Sequence, residues 1–100
     1  MQFFVHLGIR TKSVPRETLT AELLGLEIQA MKELIASGKA QQVWKRVDCH
    51  CVILLVCAFS EQECRGVLAG LPFAKAGILD MQLIVPVEPY VEVYPDQAPA

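Results

Sequence analysis

The sequence predicts an α+β domain whose elements follow one another as strand, helix, strand, strand, helix, strand. Two observations carry that expectation. Apolar residues alternate with period two near both ends of the chain, at Phe3, Val5, Leu7 and Ile9 and again at Leu79, Met81, Leu83 and Val85, which is the spacing of strands with two differently used faces. Between them, residues 15–38 repeat their apolar positions at helical spacing. The order is that of the ferredoxin-like (βαββαβ) arrangement, a four-stranded antiparallel sheet with both helices on one face.

Each element has its own signature. In the first strand, residues 1–10, Phe4, His6, Gly8 and Arg10 form the second face. Pro15 is tolerated in the first turn of the helix, Glu17 suits its positive end, and Gly38 is a common stop. Residues 41–47 read as a second strand, with Val43 and Val47 on one face and Gln42, Trp44 and Arg46 on the other. After a turn at 48–50, residues 51–59 form a nearly continuous apolar run, expected to be a central strand covered on both faces.

Ser60 caps a second helix running to Leu71, with Glu63 three residues on completing a capping box. Pro72 ends that helix, and residues 73–77 read as a loop bordering a pocket. The fourth strand, from Leu79, is expected to break at Pro86. The domain is therefore residues 1–86, and 87–100 form an extended tail through Pro89, Pro95 and Pro99, in which 90–94 can add an exchanged edge strand to a neighbour.

Composition excludes several classes. One hundred residues make one domain. A hydrophobic share of 53% with a net charge of −2 fits neither a disordered chain nor a nucleic-acid binder. The N-terminal stretch carries His6 and Arg10 and does not resemble a signal peptide. The apolar run 51–59 is too short to cross a bilayer. Four cysteines without an export signal read as reduced thiols, so a cytoplasmic protein with no membrane partner is expected.

One residue conflicts with its surroundings. On the long helix, Leu19, Leu23, Leu26, Ala30 and Leu34 fall on one side with Leu24, Ile28, Met31 and Ile35 beside them, and Glu22, Gln29, Lys32 and Glu33 lie opposite. Glu27 projects into the middle of the apolar arc. Removing a carboxylate from water without a partner costs several kcal/mol or more, and the usual response is a raised pKa, which suits a proton-transfer catalyst. The bland alternative is a seam between two stripes, with Glu27 paired to an arginine or reaching solvent across a subunit contact.

The helix-free sheet face is expected to carry Phe4, Trp44, Val52, Leu54 and Ile84 beside His6, Arg46 and Gln82. Such a face is too apolar to remain wet, so a second copy of the chain should cover it and close a dimeric α+β barrel. The spacing of Glu27, Gly38 and Trp44, and then of Ser60, Leu68, Leu71, Pro72 and Phe73, resembles that of the muconolactone isomerase family. The likeness runs over most of residues 3–85. It implies a barrel-forming ferredoxin-like fold and, at Glu27, the glutamate thought to move a proton across an unsaturated five-membered lactone. The chain departs from the family where Cys51, Val52, Ile53, Leu54 and Leu55 replace an aromatic and amide-bearing third strand, and where Val85-Pro86 replaces a His-Pro motif.

Such an isomerisation needs a base, a donor for the enolate oxygen and a cation for a substrate carboxylate. Glu27 is the expected base, with His6 and His50 as candidates to donate or relay protons. Arg46 is the better candidate than Arg10 to grip a carboxylate. Trp44, Phe4 and Gln82 complete the expected substrate-binding set, although a tryptophan on a sheet face is more often plain packing. Cys49-His50-Cys51 lacks the spacing and second ligand pair of a metal site. No Gly-rich phosphate loop follows a strand, and no cofactor or metal is expected. Two competing readings use the same fold: a non-catalytic small-ligand-binding or assembly module, and a cofactor-free barrel monooxygenase.

Overall fold

In a computed structural model that describes residues 1–10 and 16–90, the strands are β1 (Gln2–Ile9), β2 (Ala40–Lys45), β3 (Cys51–Cys57) and β4 (Leu79–Val87), and the helices are α1 (Ala21–Ala36), α2 (Glu61–Ala69) and α3 (Pro72–Lys75). The sheet is antiparallel in the order β2-β3-β1-β4. This is the α+β, ferredoxin-like architecture expected from the sequence. The proposed exchanged strand at 90–94 lies, beyond Tyr90, outside the described residues.

Local chemistry sets the boundaries. α1 begins later than Pro15, which lies outside the described residues. Arg16–Thr18 form a 3-10 turn, and Thr20 caps the helix by accepting the Leu23 N–H at 3.0 Å. Gly38, at φ 79°, turns the chain into β2 in the left-handed region that suits glycine. Ser60 accepts the Glu63 N–H at 3.1 Å, while the Glu63 carboxylate reaches back past the cap to the Phe59 N–H at 3.0 Å. After Leu71 the chain forms the four-residue helix α3 with Pro72 in its first turn, where a loop was expected. β4 runs on through Pro86, which pairs with Phe3. As an edge strand it tolerates the missing N–H.

The register corrects the assignment of sheet faces. Residues directly opposite in an antiparallel pair share a face. Phe3, Val5 and Leu7 face Val56, Leu54 and Val52 across β3, and Val5 faces Ile84 across β4. Val52, Leu54 and Ile84 therefore lie under the helices, not on the helix-free face. A register shift between His6 and Leu7 on β1 lets β4 take an extra residue at Gln82, so that Leu83 and Val85 face outward opposite His6 and Phe4. The helix-free face carries Phe4, His6, Ile53, Leu55, Leu83 and Val85, with Trp44 opposite Ile53.

The core is lopsided. Phe3, Val5, Leu7, Leu54 and Val56 pack with Cys64, Leu68 and Leu71 from the α2 side. α1 touches that cluster only with the partly buried Ala30, Met31 and Leu34. Leu24, Leu26, Ile28 and Ile35 remain about half exposed. Among the described residues no helix is long and apolar enough to cross a membrane.

Leu54 is 0% exposed in a central strand, so Leu54→Ala should cost about 2–5 kcal/mol. Ser60→Ala, which removes one cap, should cost about 1 kcal/mol. Urea denaturation of the two variants checks both values, and a cap loss as large as the core loss would contradict this division of the stability.

Candidate functional site

Glu27 is the one buried residue of α1, at 6% exposure. Its place follows from helical period: Leu23, Ala30, Met31 and Leu34 form the inward strip, and Glu27 lies in the middle of it. Its carboxylate accepts the Phe73 N–H at 3.0 Å. Pro72 has no N–H, and the N-cap of α3, Leu71, offers no side-chain cap. Phe73 therefore supplies the first free donor of α3, and a carboxylate from another helix serves as its cap. Burial pushes the Glu27 carboxyl above the ordinary glutamate range, and the Phe73 hydrogen bond offsets this only in part. No salt bridge among the described residues involves Glu27.

The carboxylate lines a cavity of about 740 Å³ between α1 and the sheet. Its walls are largely apolar, with Ile9, Leu24, Ile28, Val43, Val52 and Phe73 among them, and its polar groups besides Glu27 are Thr20, Lys32, Lys45 and His50. Lys45 points to the helix side because it pairs with Val52. His50 reaches the same space because its carbonyl accepts the Ile9 N–H at 2.8 Å, which fixes the β2–β3 turn against the end of β1. Lysine stems can cover apolar surface while their ammonium groups stay wet.

The remaining expected site residues gather on the opposite face of the sheet. Arg46 Nη1 lies 3.3 Å from His6 Nε2, a contact that leaves Nε2 as the acceptor and the proton on Nδ1. The same guanidinium grips Asp48 through two nitrogens, with Nε donating to Oδ1 at 2.9 Å. That pairing holds the Asp48 carboxyl below its ordinary range and raises Arg46 further. Arg10 pairs with Asp80 at 3.4 Å in an exposed bridge. Trp44 is 47% exposed and Phe4 is half-buried. Gln82 lies over Gly8, where a β-carbon would come within 2.5 Å of its amide nitrogen.

The sheet thus separates Glu27 and His50 from His6, Arg46, Trp44, Phe4 and Gln82. Thr20, Lys32, Lys45 and the Phe73 N–H were not singled out from the sequence. Lys45 carried a readable signal, since it shares strand parity with Val43, whereas the Phe73 donor depends on a helix too short to leave a period.

All four cysteines are free thiols. Hydrogen bonding to Cys51 holds the Cys49 thiol up at about 11. Among the described residues no cluster of three or more His, Cys, Asp or Glu side chains could hold a metal ion.

No family model matches the chain, and no curated protein does. A solved structure does: 5-chloro-2-hydroxyhydroquinone dehydrochlorinase (TftG) from Burkholderia phenoliruptrix AC1100, in complex with 2,5-dihydroxybenzoquinone, superposes with a TM-score of 0.69 over 88% of this chain and 94% of that one. The two share 18% sequence identity, and the likeness establishes a common fold.

The position of Glu27 sets a pH dependence of stability. A folded-state pKa above the ordinary value of 4.5 means that the ionised carboxyl destabilises the fold. The penalty is absent well below pH 4.5, grows as pH rises to the folded value and is constant above it. Glu27→Gln keeps an acceptor for the Phe73 N–H and does not titrate. It should therefore be more stable than the parent near pH 7, with the difference fading by about pH 4. Glu27→Leu leaves the Phe73 N–H unpaired and should be less stable than the Gln variant by about 1–3 kcal/mol. Urea titrations from acid to neutral pH check the order.

Proposed function

We propose that the protein is a cofactor-independent proton-transfer enzyme acting on a small unsaturated ring, in the manner of a muconolactone isomerase, with Glu27 as the base. The observation that carries this reading is a buried carboxylate with no cation partner among the described residues, facing a largely apolar cavity. A carboxylate held there is more basic than one in water and meets a carbon acid without solvent in between.

In the proposed step Glu27 removes a proton from a carbon next to a carbonyl, and the C–H electrons move into an enolate. Lys45 or His50, on the sheet side of the same cavity, stabilises the oxygen that gains charge. The protonated Glu27 then returns its proton to another carbon of the conjugated system, so the double bond moves and no atom is gained or lost. The superposable TftG is named for removing hydrogen chloride from a hydroquinone. That chemistry also acts on a small unsaturated ring and supports a reaction of the isomerase or lyase type. Arg46, already held by Asp48, and His6, on the far face, have no part in this step.

A second copy of the chain is proposed to cover the helix-free face, because Phe4, Ile53, Leu55 and Val85 are only half-buried and Trp44 and Leu83 are more exposed still. Light scattering at micromolar concentration should give at least a dimer, and Leu83→Arg should shift it toward monomer. A monomeric parent protein refutes the proposed barrel.

The catalytic reading is tested on unsaturated lactones and hydroquinones by following ring absorbance. Glu27→Gln should lower turnover by roughly two to four orders of magnitude. In the parent protein kcat/KM should rise with pH through an inflection above the ordinary glutamate range, and the variant should lack it. An unchanged rate in the folded variant excludes Glu27 as the base.

A further inference from the structure

The cavity is far longer than one ring. It is bordered by Thr20 near the start of α1 and by Ile35 near its end, a run of roughly 22 Å at 1.5 Å per residue. A six-membered ring occupies on the order of one helical turn, about 5.4 Å. Glu27 lies close to the middle, so a single ring at its carboxylate, with its oxygen turned toward Lys45 or His50, leaves the arm of the cavity toward Ile35 empty. A volume of about 740 Å³ is likewise in the range of sites that hold ligands of twenty or more heavy atoms.

The two arms differ in chemistry. β2 follows α1 after a three-residue connection and runs back along it. The end of β2, the turn carrying His50 and the end of β1 therefore lie toward the start of α1. That arm holds Thr20, Lys45 and His50. The other arm, toward the end of α1 and the middle of β2, is walled by Ile28, Met31, Ile35 and Val43, with Lys32 at its border. Ile28 and Ile35 are 47% and 48% exposed, so α1 presents apolar surface to the cavity without a protein partner among the described residues.

From this division we infer that the substrate is an amphipathic acid: a ring placed at Glu27, a polar or anionic end directed to Lys45 and His50, and an apolar tail lying along α1 toward Ile35. The distance from Glu27 to Ile35 is about 12 Å along the helix, room for a chain of roughly eight to ten carbons. The inference rests on the proposed proton-transfer site for the placement of the ring. It differs from that proposal in assigning the substrate a tail and a direction.

Calorimetric titration of the full chain with 4-alkylbenzoates bearing side chains of one to eleven carbons, below their micelle concentrations, tests it. Affinity should rise about three- to fourfold per methylene and level off near eight to ten carbons. Ile35→Trp should bring the plateau to shorter chains while leaving the 4-methyl compound unaffected. Ile35→Asp should weaken only the long-chain compounds. Leu24→Trp, toward the Thr20 end of the cavity, should leave the chain-length dependence unchanged. An affinity independent of chain length, a rise that continues through eleven carbons, or a plateau moved by Leu24→Trp instead of Ile35→Trp overturns the inference. The same series on Glu27→Gln separates the two proposals. Chain-length dependence retained there, with no turnover by the parent protein on any ring, refutes the catalytic reading alone. A flat series beside measurable turnover refutes the tail alone.

Discussion

The hydrogen bond from the Phe73 N–H to the Glu27 carboxylate is the contact on which the arrangement of the helices depends. It joins two segments far apart in sequence and meets a need on each side. α3 begins with a proline and lacks a cap of its own, and Glu27 is buried without a counter-ion among the described residues. A neutral side chain would bury more readily, so the carboxylate is retained against its desolvation cost. One backbone donor does not cancel that cost, and the remaining imbalance is what makes the group basic.

The lopsided core follows from the same contact. Cys64 and Leu68 of α2 lie at 0% exposure against the middle of the sheet, in the dense packing usual for a small domain. α1 places a carboxylate where α2 places apolar side chains, and it stands off at the cost of four half-exposed aliphatic residues. The volume lost to packing is the cavity. In a chain of one hundred residues this is a sizeable sacrifice of burial.

Much of this was legible in the sequence. Strict alternation marked β1, the apolar run marked β3, and helical period placed Glu27 in the inward strip of α1. The faces of β4 were not legible, because the extra residue at Gln82 reverses parity part-way along the strand and brings Ile84 under the helices. α3 was missed because four residues cannot display a period. The division of His6 and Arg46 from Glu27 and His50 was hidden for a different reason. His50 sits in a turn, where parity has no meaning, and only the Ile9–His50 hydrogen bond fixes its side.

The loose seating of α1 also bears on which part of the fold opens first. Closed sites in small proteins are commonly gated by a loop, but here the wall itself is the weakly anchored part. Tilting α1 away from β2 exposes few residues that were dry beforehand, and the chief bond it must break is that to Phe73. Such sub-global opening costs less than unfolding the sheet and α2. The part of the fold that opens at least cost is then a helix and not a loop.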